Sequence, residues 1–105
     1  MPEVRQTQQF RTWLRRLKDS NAVARIVARI RRMEQGNFGD TRSVGAGVME
    51  LRIDYGPGYR VYYVNRGAEI VILLCGGDKR TQQQDIRRAH DLARDLEEGD
   101  RDYAL

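Results

Sequence analysis

The sequence predicts an α+β domain in the order β-α-α-β-β-β-β-α, with a small, mainly antiparallel sheet, an N-terminal helical hairpin and a C-terminal helix. Three observations carry that expectation. Two helical stripes follow one another near the start of the chain. From Thr41 onward the apolar period falls to two. One further helical pattern closes the chain. With 105 residues the chain is a single domain, 1–105, with about 99–105 expected as a loose tail.

Val4 to Thr7 reads as a short first strand. Phe10, Trp13, Leu14 and Leu17 then recur at the spacing of one helix face. Asp19-Ser20-Asn21 supplies a break and a cap for a second helix, whose apolar stripe is Val23, Ile26, Val27, Ile30 and Met33. The short connection predicts an antiparallel helical pair. Arg25, Arg29 and Arg32 fall on the other face of the second helix. The run Gly36 to Asp40 ends it, and Arg42 to Val44 is a further short strand.

Met49, Leu51, Ile53 and Tyr55 alternate with Glu50, Arg52 and Asp54. After Gly56-Pro57-Gly58, Tyr59, Val61 and Tyr63 alternate with Arg60, Tyr62 and Val64. A register that puts the apolar sets on one face sets Asp54 opposite Arg60 and Arg52 opposite Tyr62. Glu50, Arg52, Asp54, Arg60 and Tyr62 then share a second face, expected to be open and polar. Ile70 to Cys75 is continuously apolar, as in a strand covered on both sides. Thr81 is a candidate cap with Gln84 as its partner. The last helix runs from about Gln82 to Glu98, with Ile86, Ala89, Ala93 and Leu96 inward and Gly99 as its stop.

The net charge is +4, and the cations are mostly arginine, since only Lys18 and Lys79 are lysines. Arginine's planar fork suits phosphate and carboxylate, although arginine richness also follows from base composition of a genome. The single cysteine, Cys75, lies in the most apolar run and reads as a small buried hydrophobe. No disulfide framework is possible, the first residues carry no signal-peptide pattern, and no apolar run spans a bilayer. A cytoplasmic, non-membrane protein is expected. One histidine and one cysteine do not make a metal site, and no Walker or dinucleotide fingerprint is present, so neither metal nor cofactor is expected.

Met49–Tyr63 (MELRIDYGPGYRVYY), Val71–Lys79 (VILLCGGDK) and the Thr81–Gln82 helix start resemble the RelE/ParE superfamily of bacterial type II toxin–antitoxin toxins, nearest its addiction module killer protein (HigB-like) branch. The resemblance implies a RelE/ParE-like fold and metal-independent cleavage of mRNA, usually on the ribosome. The ribose 2′-OH attacks the neighbouring phosphate, leaving a 2′,3′-cyclic phosphate and a 5′-OH end. It further implies a cognate antitoxin, commonly a helix-turn-helix protein, with operator DNA contacted only through the complex.

Such cleavage needs a base, cations for the phosphorane-like transition state, and an acid for the leaving oxygen. Arg60 matches the family arginine held against the scissile phosphate, and Arg80 a second one on the leaving-group side. Arg52 and Glu50 stand where relatives place polar catalytic groups, with Glu50 or Asp54 as base if neighbours tune its pKa toward neutrality. Lys79, Tyr62, Arg25, Arg29 and Arg32 are candidate RNA contacts, with Tyr62 stacking on a base or donating a proton. The plainer alternatives are an Asp54–Arg60 cross-strand pair, a solvated basic turn, a half-buried sheet tyrosine and a solvated helix face. Gly76 and Gly77 would let a ligand approach the backbone.

One departure counts against catalysis. Several family nucleases carry a Tyr or His in the last helix where this chain has Ile86. The lone histidine, His90, is expected to pack or make a partly buried polar contact. The alternative functions are therefore a non-catalytic, ParE-like inhibitor of DNA gyrase, or an inert homologue acting in transcriptional autoregulation.

Overall fold

The computed structural model describes the backbone of residues 1–102 and the side chains of residues 1–98. Among them the elements are β1 (Glu3–Gln6), α1 (Gln8–Arg16), α2 (Ser20–Glu34), β2 (Thr41–Ser43), β3 (Val48–Ile53), β4 (Tyr59–Arg66), β5 (Ile70–Asp78), a 3₁₀ turn (Lys79–Thr81) and α3 (Gln82–Asp102). The expected order holds. The strands form one five-stranded sheet ordered β1-β5-β4-β3-β2, antiparallel except for the parallel pair β1–β5.

Local chemistry sets the helix starts. Thr7 caps α1: its Oγ1 accepts from the Phe10 N–H at 3.1 Å and donates to the Leu74 carbonyl at 2.5 Å. One hydroxyl thus joins the helix start to β5. Asp19 caps α2 by accepting from the Asn21 and Ala22 N–H groups. The expected helical hairpin is a looser pair than the short connection implies. α1 rests on β5, while α2 rests on β1 and β3, so each helix is seated by the sheet.

Phe10, Ile26, Ile30 and Met33 from the helices meet Leu51, Ile53, Val61, Tyr63, Val71 and Leu73 from the sheet in the larger core. Each fully buried aliphatic or aromatic side chain stabilises the fold by roughly 1.5–3 kcal/mol before the entropy cost. The second sheet face is not open. α3 crosses it, and Val48, Tyr62, Leu74, Cys75 and Ala89 form a second buried cluster flanked by Ile86, Leu92 and Leu96. The cause lies in β5, whose apolar run needs cover on both sides. A bulge opposite Tyr62/Tyr63 leaves Leu74 without a cross-strand partner, and both Leu74 and Cys75 join the cluster beneath α3.

The β3–β4 register also differs from the expected one by two residues. Arg52 stands opposite Arg60, Glu50 opposite Tyr62 and Ile53 opposite Tyr59. A shift of two keeps every side chain on its face but moves Asp54 and Tyr55 out of the ladder into the turn. Tyr55 is held there: its hydroxyl donates to Asp19 at 3.0 Å, and the Arg25 guanidinium lies 4.6 Å from its ring centroid. α3 continues past the expected stop at Gly99 to Asp102; the rest of the expected loose tail, 103–105, lies outside the described residues.

Gly76 and Gly77 serve packing rather than an approaching ligand. A Cβ on Gly76 would lie 2.3 Å from the Trp13 ring, and one on Gly77 would lie 1.8 Å from an Asp85 carboxylate oxygen. The two glycines seat one side chain on each sheet face. Gly76→Ala and Gly77→Ala should each destabilise the fold by about 1–3 kcal/mol through overpacking. Thermal unfolding followed by circular dichroism should show a fall of several degrees or more, and an unchanged midpoint would show that Trp13 and Asp85 yield freely.

Candidate functional site

A carboxylate sits behind the site. Glu50 is 0% exposed, between β2 and β4 in the ladder. Its Oε1 accepts from Arg42 Nε at 2.8 Å, and its Oε2 accepts from the Tyr62 hydroxyl at 3.0 Å and from Gln82 Nε2 at 2.9 Å. Arg60 Nε lies 3.9 Å from the same Oε2. Three strands and the start of α3 therefore converge on one negative charge.

Burial raises the Glu50 pKa, but the hydrogen bonds from Arg42, Gln82 and Tyr62 and the Arg42 charge outweigh it and hold the carboxyl below its usual value. Glu50 is therefore ionised and enclosed, which corrects its assignment as a base tuned toward neutrality. Tyr62 requires a second correction. It is fully buried, so it offers no face to an RNA base, and burial together with the Glu50 charge pushes its phenol far up. The cover of α3 encloses Tyr62, whereas Glu50 is held ionised chiefly by Arg42 of β2.

Beside this hub an open cleft of about 390 Å³ is lined by Asp40, Arg52, Asp54, Arg60 and Lys79 with the Gly56-Pro57-Gly58 turn. The volume falls within the usual range of ligand clefts, roughly 300–1,000 Å³. Arg60 is 13% exposed, and its Nε is buried with no hydrogen-bond partner. A buried unsatisfied donor is costly unless something supplies an acceptor. Arg52 faces Arg60 across the ladder, a like-charge pairing that is unfavourable by itself. Arg52 turns outward to Asp40, with Nη2 to Oδ1 at 2.9 Å.

Arg80 does not line this cleft. It is 78% exposed and forks onto Asp78, whose Oδ1 and Oδ2 accept from its Nε at 3.2 Å and Nη2 at 2.9 Å. The hydrogen bond from Arg80 holds the Asp78 carboxyl below its ordinary range. Arg29 is likewise engaged: its Nη1 donates to the Arg52 carbonyl at 2.6 Å, and its Nη2 to the Phe38 and Asp40 carbonyls. It clamps α2 to the sheet margin. Arg25 and Arg32 line a smaller cavity that shares Ile53 and Asp54 with the main cleft.

His90 makes the polar contact expected of it, with Nε2 3.0 Å from the Val44 carbonyl, and Ile86 packs against the second cluster. Cys75 is buried, and burial pushes its thiol up to about 12. Sequence reasoning missed Arg42, Gln82, Asp40 and Asp85. Asp85 is buried and accepts from the Thr81 hydroxyl at 2.6 Å, so Thr81 serves a carboxylate here rather than the expected capping box with Gln84. Its position one turn before Ala89 on the inward stripe was the available signal. Among the described residues no group of three or more His, Cys, Asp and Glu side chains could hold a metal ion, and no helix is long and apolar enough to cross a membrane.

A small α+β domain with an arginine-lined cleft at the turn end of its sheet, backed by a buried carboxylate, is the class of protein these features define. The chain belongs to the phage-derived protein Gp49-like family (DUF891), which matches residues 12–96 and is a family of toxin–antitoxin toxins related to the RelE/ParE-type toxins. An uncharacterised protein of Haemophilus influenzae is 53% identical over 94 residues, covering 90% of this chain and 95% of the relative. No solved structure matches the chain. Membership implies a cognate antitoxin as partner.

Glu50→Gln should destabilise the fold by roughly 2–3 kcal/mol, less than the 3–5 kcal/mol of a fully buried pair because Arg42 is half in water. The folded Glu50 pKa lies below its ordinary 4.5, so the unfolded chain binds more protons in acid. Its contribution is full above about that pH and is lost as pH falls through the folded pKa. Urea unfolding between pH 3 and 7 should therefore show a shallower acid decline for Glu50→Gln than for the parent chain; parallel curves would contradict the lowered pKa.

Proposed function

We propose that this toxin is a metal-independent, ribosome-dependent mRNA endoribonuclease of the HigB-like branch, neutralised by a helix-turn-helix antitoxin. The observation that supports it is the convergence of Arg52, Arg60 and Lys79 on one open cleft. Arg60, which lines the cleft, takes the scissile phosphate, and Arg52 shares the transition-state charge. Glu50 positions Arg60 rather than acting as base. Of the two carboxylates considered for proton abstraction, Asp54 is the one exposed in the cleft. It takes the 2′-OH proton, the 2′ oxygen bonds to phosphorus, the bond from phosphorus to the 5′ oxygen breaks, and a water molecule of the open cleft protonates that oxygen. Arg80 reaches the leaving side on release from Asp78, and Lys79 holds a flanking phosphate. Arg25 and Arg32 extend the cationic track along α2, with Arg29 holding its wall.

A second reading rests on a specific observation. The cleft lining contains neither histidine nor tyrosine: Tyr62 is buried, His90 is bonded to Val44, and Ile86 packs inward. That favours a binding toxin without catalysis, directed at DNA gyrase, or an inert homologue acting in autoregulation.

Brief induction of parent and Arg60→Ala chains, followed by mapping of transcript 5′ ends, separates these functions. The parent should generate new 5′-OH ends and arrest growth. Arg60→Ala should lose cleavage by about 100-fold or more, in line with loss of a transition-state charge contact, while keeping its circular dichroism spectrum. Growth arrest with intact transcripts and an induced DNA-damage response would indicate gyrase instead.

A further inference from the structure

A second cavity, of about 410 Å³, lies between α1 and α3 and shares no lining residue with the arginine cleft. Its walls are mainly apolar and centre on Trp13, with Gln8, Gln9 and Thr12 along α1 and with Arg16 and Arg88 at its sides. Trp13 is fixed in place. Its ring presses on Gly76, and it meets Phe10 at 5.7 Å and Tyr59 at 6.3 Å between centroids. The groove is therefore built into the fold.

Its arginine and indole donors have no protein acceptor among the described residues: neither Arg16 nor Arg88 has a carboxylate partner, and the Trp13 indole N–H has no acceptor. Several other surface arginines among the described residues are likewise without an acidic partner, so the distinguishing feature here is that these two flank an apolar groove floored by Trp13. Two guanidinium forks and an indole N–H around an apolar floor complement a segment carrying a large apolar side chain and adjacent carboxylates. A single-stranded nucleic acid would also answer the arginines and stack a base on Trp13; the antitoxin is preferred because the family supplies it as a partner.

We propose that the α1–α3 groove receives an acidic, apolar-anchored segment of the cognate antitoxin, with carboxylates on Arg16 and Arg88 and an apolar side chain against Trp13. This rests on the family's antitoxin partner and not on mRNA cleavage. The segment in this groove does not itself reach the arginine cleft, so the groove acts as an anchor for the partner.

The test uses the full chain in an Arg60→Ala background, with the purified product of the neighbouring antitoxin gene and a labelled single-stranded oligoribonucleotide as probes. Arg16→Glu and Arg88→Glu are surface changes that should leave the melting curve intact. Each should weaken antitoxin affinity roughly tenfold or more, as expected when an interfacial charge pair becomes a repulsion. Carboxylate-to-lysine changes in the antitoxin segment should restore binding. Unchanged antitoxin affinity in both variants would overturn the groove assignment, as would loss of oligoribonucleotide binding alone. Failure of the parent chain to bind the antitoxin would overturn the partner itself, whatever the chain does to mRNA.

Discussion

The Glu50 carboxylate is the point on which the architecture of the cleft depends. The ladder sets Arg52 directly against Arg60, and the neighbouring edge strand brings Arg42 to the same face. Three guanidinium groups on adjacent strands would repel one another and splay the sheet. One buried anion balances them: Arg42 donates to it, Arg60 stands beside it, and Arg52 is released to Asp40. Tyr62 and Gln82 complete its hydrogen bonds, which is what makes a buried charge tolerable. The same bonds tie the start of α3 to β3, so the hub sets both the position of Arg60 and the position of the helix that seals it.

That sealing relocates the site. With helices packed on both faces, the arginine cleft lies at the end where β3 turns into β4. The turn residues Gly56 and Gly58 take positive φ angles of 56° and 81°, which glycine adopts at little cost. The resulting loop carries Asp54 to the cleft margin, with Lys79 packed beside Gly58. Rigid strands hold the two arginines, and the loop and 3₁₀ turn supply the more exposed charges.

Much of the fold was legible because its signals are local. Helical stripes, the change of period at Thr41 and the apolar run of β5 each depend on residues a few positions apart. The register of β3 and β4 was not, because Tyr55 could belong equally to the strand or to the turn. Its bonds to Asp19 and Arg25, far away in sequence, decide for the turn. Gly76 and Gly77 suggested an approaching ligand for a related reason. Close approach was correct, but the approaching groups are Trp13 and Asp85 of the chain itself.

The sequence by itself determined the element order, the arginines available for an anionic partner, and the faces on which Glu50, Arg52, Arg60 and Tyr62 lie. These follow from backbone periodicity, which needs no knowledge of neighbours. Tertiary structure alone decided which of those groups meet solvent. It enclosed Glu50 and Tyr62 beneath α3, gathered Arg52, Arg60 and Lys79 around one cleft, engaged Arg29 with backbone carbonyls and turned Arg80 onto Asp78. Exposure and charge pairing depend on what packs across long sequence separations, and a face assignment carries no information about what will cover it.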